Sequence, residues 1–210
     1  MVLKLYGHNI SPPSRLVATI LYEKEIPFEF ISVDLRGGAQ KTPDHLAKQP
    51  FGQVPVIDDD GFILYESRAI IQYLDEKYPN QGTKLIPTDP RERALFNQAV
   101  FTETSSFNRY AGPLFVELVI KKFGGREIDA TKVEQLTKDL GEKLDVYEQI
   151  LSKQKYLAGD KLTLADLQHI PVADGISGAQ CNLIQERPNV ARWFNDLSSR
   201  RSWQKVKAGL

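Results

Sequence analysis

The amino-acid sequence predicts two domains, a small mixed α/β domain followed by a domain built from helices alone. Short segments in which apolar and polar residues alternate, as they do on strands, fall within residues 2–65. Residues 80–90 contain prolines and a glycine and show no periodicity, as is typical of a connecting segment. Beyond them, apolar residues recur every three or four positions, as on helices. We therefore predict domains at residues 1–79 and 91–210, joined by residues 80–90.

The first domain is predicted to begin with a strand, a helix and a second strand. Residues 2–6 and 28–33 alternate in the manner of strands. Residues 13–24 lie between them and are predicted to be a helix, since the prolines at 12 and 13 suit a first helical turn. Their apolar residues have helical spacing: Leu16, Val17, Ile20 and Leu21. A helix that crosses between two strands predicts that those strands pair in parallel.

A hairpin and a helix are predicted to complete the first domain. After a loop at 34–41, residues 55–58 and 62–65 are predicted as strands that flank the Asp-Asp-Asp-Gly turn at 58–61. A tight turn of this kind predicts an antiparallel pair. A helix is predicted over 66–78, and its apolar residues face the core: Ile70, Ile71 and Leu74.

The second domain is predicted to be helical throughout. A long helix over 91–122 is expected to be interrupted near Gly112 and Pro113, since proline breaks the backbone hydrogen-bond ladder. An apolar stripe at three- or four-residue spacing follows: Val133, Leu136, Leu140, Leu144, Tyr147 and Leu151. Thr163 and Asp166 have the spacing of a capping box, which begins a helix. A last amphipathic helix is predicted over 188–199.

The composition excludes several classes of protein. With 27 Lys and Arg against 27 Asp and Glu, the formal net charge of +0 gives no long-range attraction to nucleic acid or anionic lipid. Apolar residues make up 41% and charged residues 26%, as in a folded globular protein. A single cysteine excludes an intrachain disulfide framework. The start lacks the pattern of a signal peptide, and no apolar run approaches the ~18 residues of a membrane span. We expect a cytoplasmic protein with no nucleic-acid or membrane partner.

Common cofactor and metal motifs do not occur in the sequence. It contains no G-x-G-x-x-G, no Walker loop, no H-E-x-x-H and no C-x-x-C. The histidines at 8, 45 and 169 lie in different elements, so we expect no metal site. Cys181 has no neighbour in sequence that would lower its pKa, and we expect an inert thiol.

Ser11 stands where the first strand ends and the first helix begins. Serine is a favoured N-cap and Pro12 fits behind it, so capping explains its presence. The same position places a hydroxyl beside the free N–H groups and the positive end of a helix, which stabilise a bound anion. This segment alone leaves both interpretations open, and capping is the simpler one.

Residues 51–55, Phe-Gly-Gln-Val-Pro, precede a predicted strand. A proline that opens a strand is tolerated for structural reasons alone. If the Val54–Pro55 bond is cis, Val54 exposes its backbone N–H and C=O at the sheet edge. An extended peptide could then pair with it as a strand does.

Glu66 and Ser67 start the helix of the hairpin segment. Both residue types are favoured there as caps. Alternatively, Ser67 donates to an anion and Glu66 accepts from an ammonium, which together form the free amino-acid end of a small peptide.

Taken together, these segments resemble a known family. The sequence resembles the glutathione transferases, and within them the phi class, over its whole length. The resemblance rests on Gly7-His8 with Ser11 and Arg15, and on the segments at 50–55, 66–70, 145–148, 156–159, 162–166, 169–171 and 186–188. It implies an N-terminal thioredoxin-like βαβαββα domain and a C-terminal all-helical domain.

The resemblance implies that Ser11 is the catalytic residue and donates a hydrogen bond to the sulfur of glutathione. Glutathione would be a cosubstrate, and neither cofactor nor metal is expected. The glutathione-binding residues would be Gln40, Lys41, Gln53, Val54, Pro55, Glu66 and Ser67, with Pro55 in a cis bond. Phi members have a histidine at position 40, and Gln40 brings no charge, so Lys41 is expected to pair with the glycine carboxylate.

The resemblance also implies an apolar pocket between the domains for small electrophiles, with organic hydroperoxides as further substrates. Its candidate residues are Ile10, Pro12, Phe107, Tyr110, Phe115 and Val116, although ordinary packing explains the last four equally well. A homodimer is expected, with Arg68 near the dimer-facing surface. Two other functions are open: a non-catalytic, ligandin-type carrier, and a translation-factor or scaffold domain. The scaffold needs none of the glutathione-binding residues, so their presence argues against it.

Overall fold

The structure is a computed structural model, and it describes residues 2–210. The chain divides into two compact units. The first contains the chain up to Ile86 together with Arg200–Leu210, and the second is Pro87–Ser199. Among the described residues no helix combines the length and the apolar character needed to cross a membrane.

A four-stranded mixed sheet organises the first unit. Its strands are β1 (Leu3–Gly7), β2 (Phe28–Ser32), β3 (Val56–Asp59) and β4 (Phe62–Tyr65), in the spatial order β2-β1-β3-β4. Its helices are α1 (Pro12–Glu23), the short α2 (Pro43–Leu46) and α3 (Ser67–Lys77). Strands β1 and β2 pair in parallel, and the other two pairs are antiparallel. The predicted thioredoxin-like order and both predicted pairings are confirmed.

The tight turn between β3 and β4 follows from its sequence. Asp60 and Gly61 both adopt positive φ angles, 56° and 88°. A two-residue type I′ hairpin turn needs positive φ at both central positions, which aspartate tolerates and glycine favours. The side chain of Asp58 accepts the N–H of Gly61 at 2.8 Å and stabilises the turn.

A buried ion pair connects α1 to α3. The fully buried Lys24 donates from Nζ to Asp75 Oδ1 at 2.9 Å and to the carbonyl of Thr83 at 3.1 Å. The Asp75 carboxylate also accepts the N–H groups of Leu85 and Ile86. A buried charge is costly unless it is paired and hydrogen-bonded. The cluster therefore fixes the segment after α3 within the first unit.

The C-terminal helix α10 (Arg201–Ala208) belongs to the first unit. The sequence-based boundaries differ from this division, because they assigned residues 91–210 to one helical domain with a last helix at 188–199. Helix α10 buries Trp203 and Val206. Two apolar residues in eight are too weak a pattern to reveal a helix or the unit on which it packs.

The second unit is built from helices. They are α4 (Pro90–Thr102), α5 (Asn108–Phe115), α6 (Ala130–Leu151), α7 (Leu164–Leu167), α8 (Ile170–Gly178) and α9 (Pro188–Ser198). The predicted stripe of α6 is buried in its C-terminal half, at Leu140, Leu144, Tyr147 and Leu151. The prediction of a helical second half is confirmed.

The predicted interruption near Gly112 and Pro113 is wrong. Helix α5 runs through Pro113, and π-helical segments at Glu103–Phe107 and Val116–Lys121 flank it. Proline removes one helical hydrogen bond, and a wider π turn lets a helix absorb a local defect without ending. The N–H of Val116 still donates to the carbonyls of Gly112 and Pro113.

Asp166 is a centre of buried hydrogen bonds in the second unit. It is 0% exposed, and its Oδ2 accepts both the N–H and the hydroxyl of Thr163 at 2.9 Å. Its Oδ1 accepts the N–H of Leu157 at 2.9 Å and the indole N–H of Trp193 at 3.0 Å. The predicted capping box is confirmed. Burial raises the pKa of Asp166, and these donors oppose the rise.

Candidate active site

The register of the sheet brings the three candidate segments to one end of its strands. Tyr6, near the end of β1, pairs with Val56 at the start of β3. Val56 in turn pairs with Tyr65 at the end of β4. The β1–α1 turn, the segment before β3 and the start of α3 therefore leave the sheet at the same end of its strands. Segments that are far apart in sequence can meet there around one ligand.

Short-range hydrogen bonds hold the turn between β1 and α1. The N–H of Ser11 donates to the carbonyl of His8 at 2.9 Å, and the N–H of Ile10 donates to His8 Nδ1 at 3.2 Å. The N–H of His8 donates to Ser14 Oγ at 3.3 Å. Gly7 leaves room for this contact, since a Cβ there would lie 2.9 Å from Ser14 Oγ.

Ser11 is the N-cap of α1, and it keeps a donor in reserve. Its Oγ accepts the N–H of Ser14 at 3.4 Å, which is a long hydrogen bond. Within residues 2–210 no acceptor receives the hydroxyl proton of Ser11. The side chain is half-buried. Capping and anion binding are thus compatible, because the cap uses the oxygen as an acceptor and leaves the proton.

The expectation of free N–H groups at this helix start is wrong. Pro12 and Pro13 occupy the first two helical positions and have no N–H. The next N–H, that of Ser14, is taken by Ser11 Oγ. What α1 offers an anion is therefore the Ser11 hydroxyl, together with the positive end of the helix dipole.

Val54 offers its backbone at the end of the sheet where β3 begins, and not at a sheet edge as expected, because β3 lies between β1 and β4. The Val54–Pro55 peptide bond is cis, as the resemblance implies. Val54 lies outside the β3 ladder, and its N–H and C=O have no hydrogen-bond partner among residues 2–210. An extended peptide can pair with these groups.

Glu66 adopts a backbone conformation that the sequence does not reveal. It caps α3 with φ 69° and ψ 105°, a region that residues other than glycine seldom occupy. Its carbonyl accepts the N–H of Ile70 at 2.9 Å and so begins the helix, while its exposed side chain makes no capping hydrogen bond. Ser67, the first residue of α3, is buried. The strained backbone leaves the Glu66 carboxylate for a cation, beside a helix start that suits an anion.

Gln40 and Lys41 hydrogen-bond within their own surroundings. Gln40 Nε2 donates to the carbonyl of Leu35 at 3.3 Å, and Gln40 Oε1 is buried without a partner. Lys41 Nζ donates to the carbonyl of Phe51 at 2.9 Å. Lys41 is exposed, and its ammonium has further protons for a carboxylate. Of these two side chains, only Lys41 can supply a charge to a ligand.

Two family models match the chain. One, described as "Glutathione S-transferase, N-terminal domain", matches residues 5–82, and "Glutathione S-transferase, C-terminal domain" matches residues 107–201. "Glutathione S-transferase hmp2" from Hypomyces subiculosus is 46% identical over 213 residues, which cover 99% of each chain. The chain belongs to the glutathione S-transferase family.

Further relatives show the class of this glutathione transferase. "Glutathione S-transferase F12" from Arabidopsis thaliana is 41% identical and covers 98% of this chain and 97% of its own. The crystal structure of glutathione transferase F7 from Populus trichocarpa matches with a TM-score of 0.95 at 38% identity, covering 99% of both chains. The predicted phi-class relationship is confirmed.

The residues predicted to line an apolar pocket fall in both units of the transferase. Ile10 and Pro12 are half-buried in the β1–α1 turn and at the start of α1. In the second unit Phe107 and Phe115 are buried and Tyr110 is half-buried, whereas Val116 is 41% exposed. Phe107 packs its ring 4.7 Å from that of His169, an ordinary contact of the helical core. The pocket stays a prediction.

His45, which the sequence did not single out as a site residue, positions the segment that precedes Val54. The buried His45 hydrogen-bonds through Nε2 to the carbonyl of Gln53 at 2.8 Å. Gln49, also buried, accepts the N–H of Gln53 through its side chain at 3.3 Å. Both backbone groups of the residue before Val54 are thus fixed. No motif marks His45, because its role depends on a loop that folds back over eight residues.

Cys181 and His169, the other two side chains with reactive groups that the sequence singled out, have structural roles. Burial raises the pKa of the half-buried Cys181 thiol, which agrees with the expectation of an inert thiol. His169 hydrogen-bonds through Nδ1 to the carbonyl of Ala165 and through Nε2 to the hydroxyl of Tyr147. Both side chains lie in the second unit.

Proposed function

We propose that Ser11 stabilises the thiolate of bound glutathione and that the enzyme conjugates this thiolate to small apolar electrophiles. The Ser11 proton that no acceptor receives among residues 2–210 supports this most directly. A free thiol has a pKa of about 8.5, so only a few per cent is ionised at neutral pH. A hydrogen bond that favours the thiolate by about 1.4 kcal/mol lowers this pKa by about one unit. Ser11 then acts as an electrostatic stabiliser and forms no covalent bond.

In this proposal the remaining candidate residues hold the tripeptide. Val54 pairs with the cysteinyl backbone in the manner of a strand. Glu66 accepts from the γ-glutamyl ammonium, and Ser67 donates to its carboxylate, supported by Gln53. Lys41 pairs with the glycine carboxylate. Except for Val54, each assignment places a polar or charged side chain against a charged group of the tripeptide.

The proposed reaction balances without a cofactor. The thiolate attacks an electrophilic carbon, a carbon–sulfur bond forms, and a leaving group such as a halide departs with its electron pair. With an organic hydroperoxide, the sulfur attacks the peroxide oxygen, the O–O bond breaks and an alcohol is released. A second glutathione then converts the sulfenic acid to glutathione disulfide and water. We propose this peroxidase reaction as a secondary activity.

Titration of the bound thiol tests the role of Ser11. The pKa of bound glutathione is measured from thiolate absorbance in the ultraviolet and from the pH dependence of kcat/KM. We expect Ser11→Ala to raise this pKa toward that of free glutathione and to lower kcat/KM by up to about 30-fold at neutral pH, the ratio of full ionisation to that of a free thiol. Ser32→Ala, at an exposed serine of the same unit, is the matched control. An unchanged thiol pKa in Ser11→Ala would exclude Ser11 from the role.

A panel of aromatic halides, isothiocyanates and hydroperoxides separates the enzyme from a carrier. Conjugation of at least one class, lost in Ser11→Ala, supports the transferase. Tight binding of apolar ligands without turnover of any compound would instead support the ligandin-type carrier.

We also propose that the enzyme is a cytoplasmic homodimer, with the surface around Arg68 on α3 facing the partner. The single cysteine suits a reducing compartment. Sedimentation velocity measures the assembly, and we expect Arg68→Glu to shift it from dimer to monomer. Monomeric sedimentation of the parent protein would contradict the proposal.

A further inference from the structure

Helix α10 contacts the first turn of the helix that Ser11 caps. Trp203, which is 0% exposed, lies beneath Arg15, whose guanidinium carbon is 4.5 Å from the centroid of the indole ring. A guanidinium at this distance over an aromatic face is held by cation–π attraction. The N–H of Arg15 donates to the carbonyl of Ser11 at 3.0 Å. Trp203 therefore contacts Arg15, whose backbone N–H forms the first hydrogen bond of α1 with Ser11.

A second contact holds the opposite end of α1. Glu23 is the last residue of α1, and its buried carboxylate pairs with Arg200 and accepts the hydroxyls of Ser202 and Thr83, each at 2.6 Å. Burial raises the pKa of Glu23, but the hydrogen bonds from Arg200, Ser202 and Thr83 outweigh it and leave the pKa lowered. The carboxylate is thus charged and fixed. The C-terminal segment holds α1 at both ends.

We propose that Trp203 is a positioning residue for thiol activation. By fixing Arg15 it holds the first turn of α1, and through that turn it holds the Ser11 hydroxyl at the distance and angle that favour a thiolate. The inference rests on the proposed role of Ser11. Hydrogen bonds weaken steeply with misalignment, and functional groups must be held to within about 0.5 Å. A loosened first turn would therefore weaken the preference for the thiolate without removing the hydroxyl.

A positioning role for Trp203 and a role in packing alone predict different results. An aliphatic side chain would fill the space beneath Arg15, but it offers no π face to a guanidinium. Packing alone predicts that a change at Trp203 lowers stability and leaves the chemistry of the folded fraction unchanged. Positioning predicts a change in the pKa of the bound thiol, and this pKa does not depend on the free energy of unfolding.

The test compares three variants of α10 in the full-length enzyme. Trp203→Leu keeps apolar volume and removes the ring face, and Trp203→Phe restores a smaller ring. Val206→Ala is the control, since it removes buried volume from the same helix at a residue with 3% exposure. The pKa of bound glutathione is read from thiolate absorbance, with the thermal midpoint and the KM for glutathione recorded for each variant.

We expect Trp203→Leu to raise the pKa of the bound thiol by about half a unit, which lowers kcat/KM about threefold below that pKa. The KM for glutathione should change little, and Trp203→Phe should bring the pKa back toward the parent value. Val206→Ala should lower the thermal midpoint and leave the pKa unchanged.

Two results would overturn the inference: an unchanged pKa in Trp203→Leu, or an equal rise in Val206→Ala. If Trp203→Leu does not fold, Arg15→Lys tests the same contact from the other side, because it keeps the charge and loses the planar stack. It must then raise the pKa, and an unchanged value would refute the inference. Ser11→Ala separates the two proposals: if it shifts the thiol pKa and Trp203→Leu does not, only the positioning role fails.

Discussion

Two helix starts in this chain are built from similar residues and serve different purposes. Ser11 caps α1 in the first unit, and Thr163 caps α7 in the second. The Thr163 hydroxyl donates to Asp166 at 2.9 Å, and Thr163 is 3% exposed. The Ser11 hydroxyl has no acceptor among residues 2–210 and is half-buried. The first cap is free to bind a ligand, and the second is closed within the core.

This difference indicates which of the two hydroxyl groups can interact with a substrate. A cap whose donors and acceptors are all satisfied contributes only to stability. A cap whose hydroxyl donates to no acceptor within the protein has a hydrogen-bond donor left for a substrate. The two starts therefore should respond oppositely to mutation, one in stability and the other in activity.

The largest effect is expected at the closed cap. Asp166→Ala leaves the N–H of Leu157, the N–H of Thr163 and the indole N–H of Trp193 without their acceptor. We expect a loss of about 3–5 kcal/mol in the free energy of unfolding, measured by denaturant titration. Ser11→Ala should cost no more than about 1 kcal/mol. Equal losses at the two sites would break the comparison.

A cysteine at the open cap should change the chemistry. In Ser11→Cys the helix start lowers the pKa of the thiol, and the thiolate attacks a glutathione mixed disulfide. A disulfide forms between Cys and glutathione, the substrate thiolate leaves, and a second glutathione releases glutathione disulfide. We expect thiol reductase activity to appear and conjugation to fall about 100-fold.

The parent enzyme supplies the control for that change. It already contains Cys181, whose thiol pKa is raised by burial, so its own reductase activity gives the baseline. Reductase activity in the parent equal to that of Ser11→Cys would show that the open helix start adds nothing.

A smaller effect is expected where His45 supports the site. His45→Ala removes the hydrogen bond to the carbonyl of Gln53 and loosens the segment that presents Val54. We expect the KM for glutathione to rise about fivefold with kcat little changed, since one hydrogen bond contributes about 1 kcal/mol. Initial rates at varied glutathione measure this. His45→Gln keeps a donor and should recover part of the loss, and a fall in kcat alone would contradict the assignment.

The smallest effect concerns a buried acid of the second unit that is held by lysines rather than by a cap. Glu117 pairs with Lys121 and Lys132 and accepts the N–H of Asp129, and these contacts lower its pKa from 4.5 to about 2. The unfolded chain binds the proton more readily, so this stability is present above pH 4.5 and is lost as the pH falls toward 2. Burial raises the pKa of Asp166, so the pH dependence of its contribution to stability has the opposite sign: that contribution falls as the pH rises.

Urea midpoints recorded between pH 7 and pH 2 test this difference. We expect Glu117→Gln to have a lower urea midpoint than the parent at pH 7. Below pH 4.5 its midpoint should fall less steeply with pH. The exposed Glu127→Gln is the control and should follow the parent. A parallel slope in Glu117→Gln would show that the lysine pairs do not set the acid limit.

Much of the fold could be predicted because its signals are local. The turn at Asp60 and Gly61, the alternation of the strands and the spacing of Thr163 and Asp166 each depend on a few neighbouring residues. The prediction failed at Pro113, where a continuous helix tolerates a residue that locally favours a break. It also missed α10, whose two buried apolar residues form too short a pattern.

The sequence suggested residues for the candidate site and did not reveal their geometry. Ser11, Val54 and Glu66 stand out because their neighbours are helix starts and a proline. The φ angle of Glu66 and the support from His45 to Gln53 depend on how distant segments lie, and local propensity does not encode that.

The sequence by itself determined that the chain is a two-part protein related to the phi-class glutathione transferases, because motifs and periodicity are properties of neighbouring residues. Only the tertiary structure decided that Ser11 retains its proton, that both prolines of α1 leave the hydroxyl as the donor, and that the last helix returns to hold α1 through Trp203. The physical reason is that a free donor and a long-range contact are defined by which groups are left over once the whole chain has paired.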